Sequence, residues 1–161
     1  MRKLIRIDNQ IFFADDMPGM IKARARYLCD IPKMFIDKIT GLRTWKIQDV
    51  KPVFHFNDGN SKTGPCITYN LSVQYTCACC ECKAGWTDEK GIHHKGDCFA
   101  TKGCYLFASN QYLYAENLAF YLNATNEEFL QALDIMIDTC EKIDFCRYFT
   151  AGDIPDMRFL S

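Results

Sequence analysis

TNEEFLQALDIMIDTCEKI, residues 125–143, carries the plainest structural signal in the chain. Thr125 stands where a helix N-cap belongs, and Glu128, three residues on, can reach back to it, which together make a capping box. Phe129, Leu133, Met136, Ile137 and Cys140 follow along one stripe, so the spacing predicts a helix with an apolar face. Glu127, Asp134, Asp138 and Glu141 fall on the other side. An acidic helix face is solvated by default, and the alternative is that it docks on something basic.

Working outward, SNQYLYAENLAFYLNA (109–124) places Tyr112, Ala115, Leu118, Ala119 and Leu122 at helical spacing. On the other side, DFCRYFTAGDI (144–154) reads as a strand running into a Gly-Asp turn. Strands are also predicted at VFHF (53–56) and CITYNLSV (66–73), joined by a turn or loop at NDGNSKTGP (57–65). The opening LIRIDNQIFFA (4–14) reads as a strand or hairpin. MPGMIKARARYLCDIPKMFIDKI (17–39) reads as a helix broken near Pro32, with Lys22, Arg24 and Arg26 on its solvated side. Strands and helices together predict an α/β or α+β fold with a small sheet and flanking helices. At 161 residues one domain is expected, with 1–52 as an N-terminal strand and helix addition to a core at 53–161.

Composition limits the function classes. The hydrophobic fraction is 48% and the charged fraction 24%, ordinary for a globular chain. A formal net charge of -1 removes the general attraction to phosphate that a basic domain would have. No apolar run approaches the ~20 residues of a membrane span, and Arg6, Asp8, Asn9 and Gln10 interrupt the stretch where a signal peptide would be apolar. The expectation is a cytoplasmic monomer without membrane contact.

In a reducing compartment, clustered cysteines point to a metal rather than to disulfides. TCACCECKAGWTDEKGIHHKGDCF (76–99) holds five of the ten cysteines and two histidines. Cys77 and Cys80 form a C-x-x-C pair, which places two sulfurs on one metal from a tight turn, and Cys82 and Cys98 can complete a tetrahedron. Cys79 is an alternate for a neighbour, and His94 an alternate for Cys98 in a Cys3His site. Thiolates suit zinc or an iron-sulfur cluster. Zinc is the expectation, because the C-x3-C-x2-C spacing of radical enzymes does not occur. Cys29, Cys66, Cys140 and Cys146 stand apart and read as small buried hydrophobes. His55, alone on a predicted strand, reads as a packed or surface histidine. Asp153 reads as a turn residue, with a base at a strand end as the alternative.

GNSKTG (59–64), the CITYNLSV strand, the cysteine group, CFATKG (98–103), YAENLAFY, EEFLQAL and CRYFTAGDIPDMRFL occur in an order that resembles the phage gene product 88 family. The resemblance covers about residues 53–160 and rests on that order. It implies metal ligands at Cys77, Cys80, Cys82 and Cys98, and matches Arg147, Gly152 and Asp153 to the Arg and Gly-Asp near the family's terminal strand. Residues 83–96 look like an insertion carrying Trp86, His93 and His94, and Phe149 or Thr150 replaces the histidine of the family's RWH element. Members are sometimes likened to radical-enzyme barrels, and a chain ending soon after GDI is expected to hold only part of one.

The resemblance therefore implies a truncated member that acts by binding: a phage or mobile-element protein of a bacterial host's cytoplasm with a structural zinc site. The specific expectation is an anti-CRISPR inhibitor of an RNA-guided effector nuclease, with no catalytic residues and the acidic face of Glu127, Asp134, Asp138 and Glu141 toward a basic partner. One alternative is an iron-sulfur, radical-type metalloenzyme with Asp153 or Arg147 lining its site. Another is a single-strand nucleic-acid binder using Trp86, Lys83, Lys90 and Lys95, against which Asp88, Glu89 and Asp97 weigh in the same loop.

Overall fold

Alternating branched and aromatic residues make a hairpin of the opening segment: β1 (Leu4–Ile7) pairs antiparallel with β2 (Gln10–Phe13). Asp8 turns the chain at φ 52°, a left-handed conformation that aspartate tolerates better than most residues. The structure is a computed structural model that describes residues 1–16, 32–36, 43–60, 64–76, 85–96, 98, 102–139 and 145–148. Most of the predicted 17–39 helix lies outside the described residues. Phe35–Ile36, at its far end, forms a short strand β3 paired with β4 (Arg43–Thr44). Pro32 lacks a backbone N–H and restricts the residue before it, so a helix would not continue smoothly through this point.

β2 also pairs antiparallel with β5 (Val53–His55), which completes a three-stranded sheet in the order β1-β2-β5. A second sheet has the order β10-β7-β6, from β6 (Asn57–Asn60), β7 (Gly64–Tyr69) and β10 (Phe145–Tyr148). Asn57–Asn60 was expected in a turn or loop. It instead pairs with β7 across a bulge, and Gly64 at φ 69° begins the return strand where a side chain would be strained. The strand expected over 66–73 ends at Tyr69. There Asn117 takes the Asn70 carbonyl, and the Ser72 carbonyl accepts from the Tyr75 and Thr76 amides to form the single turn α1 (Val73–Thr76).

A short ribbon, β8 (Gly85–Thr87) with β9 (His93–Lys95), precedes the two long helices. These are α2 (Ala108–Asn123) and α3 (Asn126–Thr139). Both lie on the path from β7 to β10, which are parallel neighbours and need such a crossover. Mostly antiparallel pairing together with the two helices makes the class α+β, with one parallel pair among the described residues. Among the described residues, no helix is long and apolar enough to cross a membrane.

The core between sheets and helices is aromatic. Phe54 stacks on Tyr69 at 4.3 Å and meets Phe120 edge-on at 5.5 Å, while Phe13 stacks on Phe120 at 4.6 Å. Phe129 of α3 closes the cluster against Tyr121 at 5.1 Å. Each such ring contributes about 2–3 kcal/mol by leaving water, and the ring pairs add to that. α2 is buried on more than one side: Tyr112, Ala115, Leu118 and Ala119 lie inside as predicted, and so do Glu116, Asn117, Phe120 and Tyr121. Leu122, placed on the apolar face by spacing, is exposed.

The capping box at α3 forms as predicted. The Glu128 amide donates to Thr125 Oγ1 at 3.2 Å, and the Thr125 amide donates to Glu128 Oε2 at 3.0 Å. Glu128 does more than cap, because its carboxylate also takes Arg2, whose amide lies 2.6 Å from Oε1 and whose Nη2 lies 2.7 Å from Oε2. The guanidinium rests 3.6 Å above the Phe13 ring. These contacts join the first strand's approach to the start of α3. They also explain why a glutamate can be buried here at all.

Candidate functional site

The predicted metal ligands Cys77, Cys80 and Cys82, and the alternate Cys79, lie outside the described residues. Cys98 is described, and it is buried. Among the described residues no group of three or more His, Cys, Asp or Glu is brought together as a metal site. Cys66 and Cys146 are free thiols, and Cys66 is buried on β7. It packs there as a small hydrophobe of the kind its surroundings suggest.

The segment expected as an insertion, 83–96, contains the β8–β9 hairpin, with Gly85 opposite Lys95 and Trp86 opposite His94. Its loop is tied by Asp88, whose Oδ1 accepts the Lys90 and Ile92 amides at 2.9 and 2.8 Å. Gly91, at φ 79°, supplies the left-handed turn the loop needs. His94 Nε2 lies 3.0 Å from Asp88 Oδ2. That hydrogen bond and the Ile92 amide hold the Asp88 carboxyl below its ordinary range. His94, the alternate ligand, thus has a defined role in closing the hairpin.

The acidic side of α3 is described as far as Asp138. Glu127, Asp134 and Asp138 are exposed, and Glu141 lies outside the described residues. Leu130 is 58% exposed and Ile137 43% exposed on the same helix. Ile137 was expected in the buried stripe. The core is instead reached by Glu128, Phe129, Ala132 and Met136, a face rotated slightly toward the capping glutamate that Arg2 holds inside.

Topology relates the two segments that carry the remaining candidates. β7 and β10 are parallel and in register, Tyr69 level with Tyr148, so their carboxyl ends lie at the same edge. The cysteine segment follows β7 through α1, and the Phe149–Asp153 segment follows β10 directly. Arg147 is on β10, and Gly152 and Asp153 lie outside the described residues.

Sequence reading missed a polar cluster on α2. His55 Nε2 lies 2.6 Å from Glu116 Oε2, with both side chains about nine-tenths buried. The next residue, Asn117, acts as a peptide group for the edge of β5: its Oδ1 accepts the His55 amide at 2.6 Å and its Nδ2 donates to the His55 carbonyl at 3.2 Å. The same Nδ2 donates to the Asn70 carbonyl at 2.7 Å, and the Asn117 carbonyl accepts from Tyr69 Oη at 3.0 Å. Burial pushes the Tyr69 hydroxyl well above its ordinary range, so it stays a donor. Adjacent Glu116 and Asn117 on a helix otherwise rich in apolar residues were the available signal. No protein-family model, curated protein or solved structure matches the chain.

Proposed function

We propose that this chain is a small metal-stabilised protein that acts by binding a basic protein partner through the exposed face of α3. The observation that carries the reading is that face. Glu127, Leu130, Asp134, Ile137 and Asp138 recur at helical spacing and are all exposed, so three carboxylates flank two large apolar side chains. Apolar anchors inside a charged rim suit a protein contact, and the carboxylates would steer a basic surface toward it. The resemblance to a phage family makes an RNA-guided effector nuclease the specific candidate, with the protein as its inhibitor.

The metal in this reading is structural zinc on Cys77, Cys80, Cys82 and Cys98, and its role is to fix a segment poor in apolar residues. Two observations support it. Cys98 is buried, and the β8–β9 pairing brings the two ends of the intervening chain together at Gly85 and Lys95. In sequence, Cys82 and Cys98 each stand three residues beyond that pair. The test is metal analysis together with titration against a purified RNA-guided nuclease. A colourless protein with one zinc per chain and stoichiometric inhibition, lost when Glu127, Asp134 and Asp138 are changed to lysine, is expected. Inhibition unaffected by that triple change would remove α3 from the contact.

A second reading, an iron-sulfur enzyme, rests on chain order: the cysteine segment follows β7, Gly152 and Asp153 follow β10, and those two strands lie parallel. Iron, brown colour and reductive cleavage of S-adenosylmethionine after anaerobic reconstitution would establish it in place of the first.

A further inference from the structure

A cavity of about 380 Å³ opens among the β1–β2 turn, the β5–β6 junction, the end of β7 and one side of α2. That size falls at the low end of the ~300–1,000 Å³ range of small-molecule sites. Four polar side chains in its lining come from three separate elements: Asn9 and Gln10, Asn57, and Thr68. None of the four has a hydrogen-bonded side chain among the described residues. His55 also lines the cavity, with Nε2 held by Glu116, so Nδ1 is the nitrogen the ring can offer a ligand. Among the described residues no lysine or arginine lines it. A phosphate or carboxylate ligand would find no permanent cation among these lining residues.

We propose that this cavity is a binding site for an uncharged sugar. Each hydroxyl of a sugar both donates and accepts, and a side-chain amide offers two donors and an acceptor, so amides placed around a perimeter match a ring of hydroxyls. The helix side of the cavity carries Leu113 and Tyr114, which suit the C–H face that a sugar ring presents on one side. A flat heterocycle would need apolar surface against both its faces. Phe56, the other apolar lining residue, is 3% exposed and packs into the core against Phe54. Glu116 is a positioning residue, fixing the ring of His55, while Asn117 is fully used in joining β5 to the end of β7. None of the described lining residues belongs to the α3 face or to residues 85–98.

Isothermal titration of the full chain with D-glucose, D-galactose, D-mannose, D-ribose and N-acetylglucosamine tests the proposal, with glucose 6-phosphate and adenosine as contrasts. One or more of the neutral sugars should saturate a single site per chain, and the phosphorylated sugar should bind more weakly than its parent. Gln10→Ala, Asn57→Ala and Thr68→Val should each weaken binding about tenfold, as loss of one hydrogen bond does, while the unfolding midpoint stays in place. Glu116→Ala should weaken binding by freeing the His55 ring, and Glu116→Gln, which can still hydrogen-bond Nε2, should recover most of it. The proposal is overturned if none of the five sugars binds, if adenosine or glucose 6-phosphate binds in preference to them, or if sugar binding is indifferent to all three lining substitutions.

Discussion

Replacing Glu128 with glutamine tests how far a single buried carboxylate holds the N-terminal strand to α3. In the native protein its two oxygens take the Arg2 amide at 2.6 Å, Arg2 Nε at 3.2 Å, Arg2 Nη2 at 2.7 Å and the Thr125 amide at 3.0 Å. Glutamine keeps the shape but has one acceptor oxygen. Its amide nitrogen would face a donor whichever way it turned. Loss of the cap bond costs about 1 kcal/mol, and loss of the charge-assisted bonds to Arg2 about 1–2 more, since that guanidinium is 37% exposed and regains water. The total is about 2–3 kcal/mol.

The protonation behaviour gives a second estimate. Arg2 is the chief cause that lowers the Glu128 carboxyl from 4.5 to about 2, which corresponds to a ceiling of about 3 kcal/mol, and exposure of the partner brings that nearer 2. Because the folded value is depressed, this stability is complete above about pH 4.5 and is lost as pH falls toward 2. Urea unfolding at pH 7 should show the glutamine variant less stable by about 2–3 kcal/mol. Between pH 4.5 and 2.5 the wild type should lose more stability than the variant, and the two should converge. A variant within about 0.5 kcal/mol of wild type at pH 7, or one with the same acid dependence, would falsify the reasoning.

Asn117→Leu should cost about 3 kcal/mol, because it leaves the His55 amide and carbonyl and the Asn70 carbonyl without their partner; faster hydrogen exchange at the His55 amide is the direct readout. Asp88→Asn should speed exchange at the Lys90 and Ile92 amides while leaving the global unfolding midpoint unchanged, since Asp88 ties only the hairpin loop. If zinc is structural, Cys98→Ser or a strong chelator should lower the thermal midpoint of the whole domain, with metal loss measured on the same sample. A Cys98→Ser protein that keeps its metal and its midpoint would make Cys98 a packed thiol and no more.

How much was legible in the sequence depended on the range of the interaction. The capping box at Thr125 and Glu128, the two long helices, the opening hairpin and the strand at Val53–His55 are local patterns, in which residues a few positions apart interact, and all form as read. The Asn57–Asn60 strand was hidden because Gly and Asn usually mark turns, and only pairing with β7 overrides that tendency. Leu122 was misplaced by spacing because α2 is buried on several sides and has no single apolar stripe, and Ile137 because the buried face of α3 runs through Glu128, Phe129, Ala132 and Met136.

The sequence by itself determined what is local: the capping box at Thr125 and Glu128 and the periodicity of the two long helices, because those interactions join residues a few positions apart. Tertiary structure decided what spacing could not encode: that Arg2 closes on Glu128 across the chain, that β7 and β10 lie parallel, and that His55, Glu116 and Asn117 meet beside a cavity. Arg2 and Glu128, and His55 and its two partners on α2, are 61 positions or more apart, and only the burial of the aromatic core brings such distant groups within hydrogen-bonding range.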